Sequence, residues 1–280
     1  MANNTRIVIG IDPASGKGSY VFAPDVPDPA GKSGAGIDRT MTPSELREML
    51  PSRRATTRTL STPFGVDSCL ECWDAPLTGP PYPDADDPGV MTIRQIEVKK
   101  ESDNGYFEDV AKWAKDNEGV ALRPYSGLSH WVISRNLLGL PRTGIYDAPY
   151  SEIPLYPVFS KNALRHYRFA VTEVHPALAI AAWLKEEFIK YKNLKADAHL
   201  EKADVIAKSL EWIWRQLRER VNFSSATCFD WTSTPKTDDA LDARVAWLLG
   251  HLWLQGSSVQ IIGNEQDGTF LIPTSNSTSN

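Results

Sequence analysis

The sequence predicts one α/β domain built on a mixed sheet. Three observations carry this expectation. Short β-branched runs come first in the chain and helical patterns increasingly later. No internal repeat is evident, and no linker divides the chain into two cores. At 280 residues the chain is long for one domain but within the range of a single α/β domain with insertions. The expected domain spans residues 1–273, followed by a polar, disordered tail, "TSNSTSN", at 274–280.

The elements follow in order. "RIVIGID" is a short apolar run ending at an aspartate and reads as a buried strand. "GSYVFAP" follows a Gly-rich turn and reads as its hairpin partner, with a third short strand near "GAGIDRTM". In "TPSELREML", Thr42 is a helix N-cap, Pro43 occupies the first helical position and Glu45 completes a capping box. "CLECWDAPL" is the next strand. Residues 79–89, crowded with proline, glycine and aspartate, read as an exposed loop. "YFEDVAKWAKDN" has helical spacing of Phe107, Val110, Trp113 and Ala114, and "SHWVISRNLLGL" is a second helix. The Pro- and Tyr-rich stretch ending in "EIPLYP" reads as a long surface loop. "YRFAVTEVHP" is the last central strand, and "ALAIAAWLKEEFIKY" the helix after it. A charged amphipathic helix runs roughly over 196–221. "TDDALDARVAWLLGHLWLQG" is the closing helix, with Gly256 as its stop, and "VQIIGNEQDGTFLIP" is a terminal hairpin.

Composition narrows the function classes. The net charge of −5 lacks the basic balance of an avid, non-specific nucleic-acid binder, but it leaves a nucleic-acid enzyme open, because patches matter more than totals. The longest apolar stretches are too short and interrupted to span a bilayer, so no membrane association is expected. The N-terminus lacks the regions of a secretory signal, which favours the cytoplasm. Three cysteines, Cys69, Cys72 and Cys228, fit a reducing compartment. Cys69 and Cys72 form a C-x-x-C. The second half of a zinc site is missing, and residues i and i+3 of a strand point to opposite faces, so they read as two small core residues.

Four acidic stations carry the chemistry: Asp12 in "IVIGIDPASGKG", Asp74 in "CLECWDAPLTG", Glu173 in "RFAVTEVHPA", and Asp238, Asp239 and Asp242 in "KTDDALDARVAWLLG". The first three sit at or near the ends of apolar runs, and the last group lies on one turn of an apolar helix. Burying a charge is costly, so carboxylates converging from strands and a helix suggest a cation between them. Magnesium and manganese ions prefer oxygen ligands. Asp12 and Asp74 can meet only if their strands are adjacent. Asp238 and Asp242, four apart, share one helical face, where their repulsion would be removed by a cation or by Arg244 and Lys236 nearby. Asp239 points about a quarter-turn away and reads as a helix-start charge; the N-cap is either Asp238 or Thr237. Alternative readings exist for each: Asp74 can start a turn, and His175, before Pro176, is either a helix-start residue packed on the sheet or a general acid–base group. Glu173 interrupts a buried strand. Lys17, in the Gly-rich turn, is a candidate phosphate contact, although the P-loop spacing is absent. Arg123, His130 and Arg135 are candidates to line a substrate groove, and each also fits a solvated helix face.

The order G-x-D, D-x-P-[IL], E-V-[HY]-P and D-D-A-x-D-A resembles the domain-of-unknown-function 429 family of predicted nucleases, placed in the RNase H-like superfamily with the Holliday-junction resolvases. The resemblance spans nearly the whole chain. It implies a mixed five-stranded sheet with the first three strands antiparallel, flanked by helices, and an acidic two-metal centre at the strand ends. It also implies that Asp12 and Asp74 are strand acids of the centre, with Asp242 or Asp238 the helix acid. Glu173 and His175 match the family's fifth-strand motif.

The expected function is a phosphodiesterase dependent on Mg²⁺ or Mn²⁺, acting on structured DNA or RNA. Asp12, Asp74 and Asp242 would hold the ions, Glu173 or Asp238 would complete the coordination, His175 would assist, and water would be the nucleophile. Lys17, Arg123 and Arg135 would contact substrate. The alternatives are an actin-like phosphotransferase, which also opens with a strand and "GID" but is normally duplicated, and a non-catalytic RNase H-like binding protein.

Overall fold

The structure is a computed structural model. It describes residues 6–13, 18–26, 36–49, 68–75, 156–157, 169–192, 202–221, 233–256, 258–264 and 268–274. Lys17, Arg123, His130, Arg135 and Cys228, the two helices expected from "YFEDVAKWAKDN" and "SHWVISRNLLGL", the loop at 79–89 and the tail at 275–280 lie outside them.

Five strands of five to seven residues form the sheet: β1 (Arg6–Asp12), β2 (Ser19–Ala23), β3 (Ile37–Met41), β4 (Ser68–Trp73) and β6 (Phe169–Glu173). A two-residue edge strand, β5 (Tyr156–Pro157), adds a sixth position at the end of the stretch expected to be loop. The order is β3-β2-β1-β4-β6-β5. The first three strands pair antiparallel, and β1, β4, β6 and β5 run parallel. The expected mixed sheet is therefore present, with one short strand more than expected.

Helices cover both faces. On one face α1 (Pro43–Met49) sends Leu46 and Met49 into a core of Ile7, Ile9, Ile11, Val21, Cys69, Trp73 and Val171. On the other, α2 (Pro176–Leu184), α3 (Lys202–Arg220) and α4 (Asp238–Leu254) pack over Val8, Phe22, Leu70, Cys72 and Val174. Burial on both faces explains why β1 reads as a continuous apolar run rather than an alternating one. Cys69 and Cys72 are free, buried and divided between the two cores, so they form no metal pair.

Capping signals hold where they were expected. Thr42 and Glu45 cap reciprocally: the Glu45 N–H donates to Thr42 Oγ1 (3.2 Å) and the Thr42 N–H to Glu45 Oε2 (2.8 Å). Thr237, not Asp238, caps α4, its Oγ1 accepting from the Ala240 N–H (3.1 Å). Gly256 ends α4 with φ 66°, a left-handed position suited to glycine. The hairpin β7 (Val259–Asn264) and β8 (Gly268–Pro273) closes the chain, joined to the end of β6 by a bridge between Val174 and Leu271. Thr274, assigned above to the tail, still donates its N–H to the Ser258 carbonyl (2.9 Å).

One helix departs from expectation. The pattern predicts helix through Tyr191, but α2 stops at Leu184 and a 3-10 turn (Lys185–Glu187) follows. Lys185 takes φ 49° and ψ −119°, a backbone region where glycine is at ease and lysine is not. No glycine or proline marks the stop. It is held from a distance: Arg220 of α3 donates Nη1 to the carbonyls of Trp183 (3.2 Å) and Leu184 (3.3 Å) and ion-pairs with Glu187. Lys185→Gly should relieve this strain and raise unfolding stability by about 1 kcal/mol. Urea unfolding midpoints check this; an unchanged or lower midpoint would contradict it. The turn has a functional consequence, because it sends Tyr191 and Lys192 back toward the sheet.

Candidate metal centre

The centre is built where β1 and β4 end side by side. The two strands run parallel with Ile11 opposite Trp73, and the Asp74 N–H carries the ladder one step further by donating to the Ile11 carbonyl (2.8 Å). Side chains alternate along a strand. Ile7, Ile9 and Ile11 face the α1 side, so Asp12 points to the α4 side, and Asp74 beside it does the same.

Two glycines bring α4 down onto this pair of strands. A Cβ on Gly10 would strike the Ala243 carbonyl and lie 2.7 Å from the Trp247 backbone nitrogen. A Cβ on Gly250 would lie 2.6 Å from Cys72 Sγ and from Val8 Cγ1. The helix therefore rests on β1 at Ala243, and Asp242, one residue earlier, lies over the strand ends. Each of Asp12, Asp74 and Asp242 places a carboxylate oxygen within 4.8 Å of the other two. Asp242 is fully buried, whereas Asp12 and Asp74 are partly exposed.

These oxygens fit a hard divalent cation. With metal–oxygen bonds of about 2.1 Å, ligands on opposite sides of one ion stand about 4.2 Å apart, close to the observed spread. The donor set is all oxygen, as Mg²⁺ and Mn²⁺ prefer. The electrostatics agree, because the cluster is short of positive charge. Burial, then Asp74 and Asp242, hold the Asp12 carboxyl well above the usual range. Burial pushes Asp242 up to about 7, with Lys192 opposing and Asp74 adding.

Two residues absent from the sequence expectations complete the surroundings. The Tyr191 hydroxyl donates to Asp242 Oδ1 (2.7 Å), and the Lys192 ammonium ion-pairs with Asp242 Oδ2. Burial disfavours the charged form of Lys192, yet the carboxylate of Asp242, then Tyr191, Asp74 and Asp12, raise it well above its ordinary value. In the sequence, Lys192 is one lysine among several in "KEEFIKYKNLK", so only a hint of the turn at Lys185 could have singled it out.

The structure reassigns other expected residues. Arg244 is engaged at the β2–β3 hairpin. It donates to Asp38 Oδ2 (2.7 Å) and the Ser233 carbonyl (2.7 Å), between the rings of Phe22 and Trp214, and so ties α4 to the β2–β3 hairpin. Lys236 is exposed. Asp238 does not join the cluster, whereas Asp239, read as a helix-start charge, meets Asp12 through a side-chain hydrogen bond. Positions i+3 and i+4 both flank a helical residue, and the seating of α4 on Gly10 decides which acid faces the strand. Glu173 is buried and lies opposite Trp73 in the register, on the Ile11 side of the sheet, so strand alternation turns it away from the three aspartates. It is not placed to complete their coordination. His175 caps α2, its Nδ1 accepting from the Leu178 N–H (3.3 Å), and packs edge-on against Phe270. That is the helix-start alternative.

The raised Asp242 carboxyl has a pH signature. It retains a proton in the folded state that the unfolded chain, with a carboxyl near 3.9, releases. Its contribution to stability is full below pH about 4 and is lost as pH rises to about 7. In EDTA, wild type should therefore lose stability relative to Asp242→Asn across that window. Thermal melts of both proteins at stepped pH check this, and a pH-independent difference would rule it out.

Among the described residues no helix is long and apolar enough to cross a membrane. No curated protein and no solved structure matches the chain. Residues 159–267 match a family described as a protein of unknown function, DUF429; the matched segment contains Tyr191, Lys192 and Asp242, and Asp12 and Asp74 precede it.

Proposed function

We propose that this protein is a divalent-cation-dependent phosphodiesterase of RNase H-like fold that acts on a structured nucleic acid. The observation that carries the reading is the convergence of Asp12, Asp74 and Asp242, from two strand ends and a helix, to within 4.8 Å of one another. Three antiparallel strands beside parallel ones, with the acids at the strand ends, support the superfamily part of the reading.

Asp12, Asp74 and Asp242 would hold Mg²⁺ or Mn²⁺, with Asp239 close enough to Asp12 to assist. Held there, a pair of such ions would supply the activation of a water and the stabilisation of the leaving oxygen of a phosphodiester. The protein's own contribution is to hold its ligands in place. The Tyr191 hydroxyl fixes one oxygen of Asp242, and the close packing of α4 on Gly10 fixes its height above the strands. Asp12 and Asp74 sit at the partly exposed side of the cluster, where a phosphate can approach.

The test uses the full chain stripped with EDTA. Branched DNA, RNA–DNA hybrid, duplex and single strands are offered with Mn²⁺ or Mg²⁺, beside an ATP-turnover assay. Metal-dependent cleavage of a branched or hybrid substrate is expected. ATP turnover with no cleavage in the panel would replace this reading with the phosphotransferase, and binding without cleavage would replace it with the non-catalytic protein.

A further inference from the structure

The Lys192 ammonium is paired with an oxygen of Asp242 that a cation held by the three aspartates would need. It reaches Asp242 Oδ2, and Asp242 is the one fully buried member of the three, so that oxygen has little room for two cationic partners. Tyr191 holds the other oxygen. Lys192 is also partly exposed, on a flexible stem. An ammonium so placed can swing outward without unpacking the core, whereas Asp242 cannot move without shifting α4.

The path of the chain supports a dedicated role. Were α2 to continue to Tyr191 as its sequence suggests, Lys192 would leave the cluster. The break at Leu184, the left-handed Lys185 and the Arg220 clamp together return the chain so that two consecutive residues, Tyr191 and Lys192, both end on Asp242.

We propose that Lys192 is a built-in counter-ion of the centre, and that a divalent cation takes Asp242 only by displacing it. The inference rests on the metal-centre reading above and adds a control to it. Without metal, Lys192 offsets the repulsion of the buried carboxylates. With metal, it moves to the mouth of the site, where its charge faces the anionic substrate. It therefore weakens metal binding and sets the concentration at which the site fills.

Calorimetric titration of MnCl₂ into EDTA-stripped full-length protein tests this with wild type, Lys192→Met and Lys192→Arg. Loss of a positive charge a few ångströms from the ion should tighten Mn²⁺ binding by about tenfold or more in Lys192→Met. Lys192→Arg keeps the charge and should bind no tighter than wild type. Thermal melts should move in opposite senses: Lys192→Met melts below wild type without metal, yet gains more from Mn²⁺. If Lys192→Met does not fold, Lys192→Gln takes its place with the same expectation. Binding seen only in the uncharged variant is the expected result in its strongest form. Equal or weaker binding in Lys192→Met, or tighter binding in Lys192→Arg, overturns the counter-ion role. Asp12→Asn separates the two levels. Should it abolish Mn²⁺ binding while wild type and Lys192→Met bind alike, the metal centre stands and the counter-ion falls. If no protein in the set binds Mn²⁺, both fall.

Discussion

Asp12→Asn is expected to reduce metal-dependent cleavage by more than about 100-fold, because even partners one step removed from a metal are worth 10- to 100-fold. The same change should raise the melting temperature of the metal-free protein. Burial and the neighbouring Asp74 and Asp242 carboxylates disfavour charge on Asp12, and an amide of nearly the same shape removes that cost. Mn²⁺ should stabilise wild type and leave the variant unmoved. The pairing of lost activity with gained stability is the discriminating result. A variant that melts lower, responds to Mn²⁺ like wild type and still cleaves would remove Asp12 from the centre.

Gly10→Ala is expected to be the most damaging small substitution in the described residues. The added methyl would meet the α4 backbone at two points, the Ala243 carbonyl and the Trp247 nitrogen, and backbone cannot rotate away as a side chain can. Overpacking a core commonly costs 1–3 kcal/mol, and this contact belongs at or above the top of that range, about 3 kcal/mol. The damage should reach the site, since lifting α4 carries Asp242 away from Asp12 and Asp74. Gly256→Ala is the comparison. Its Cβ would meet nothing within 4 Å, so only the left-handed backbone at φ 66° opposes it, at about 1 kcal/mol, with Mn²⁺ binding intact. Guanidinium unfolding midpoints and Mn²⁺ titrations read both effects. Should Gly10→Ala unfold at the midpoint of Gly256→Ala and bind Mn²⁺ as wild type does, the tight seating of α4 is not what assembles the centre.

The part of the site legible in the sequence was the part written in local pattern. Asp12 and Asp74 each terminate an apolar run, and Asp242 interrupts an apolar helix, so each stands out against neighbours of opposite character. Glu173 stood out in the same way and for the same reason, but salience in a run does not say which face of the sheet a residue occupies. Its register opposite Trp73 turns it from the cluster. The choice between Asp238 and Asp239 was closed to sequence reasoning for a related reason: both lie within one turn of Asp242, and only the roll of the helix on β1 separates them.

Lys192 shows the opposite failure. Nothing local marks it, because its place depends on a helix that ends without a helix-stop residue, held by an arginine some 35 positions later in the chain. Arg244 was noticed for its nearness to the acids along the sequence and proved to serve Asp38, more than 200 positions earlier.

By itself the sequence determined the five longer strands of the sheet, the Thr42 capping box, the glycine stop of α4 and the acids that end apolar runs, since each follows from period, turn chemistry and the cost of burying charge. Tertiary structure alone decided which acids meet, which side-chain cation pairs with Asp242 and that Arg244 binds Asp38. Those outcomes depend on register, helix roll and long-range clamps, which are set by contacts between segments far apart in the chain.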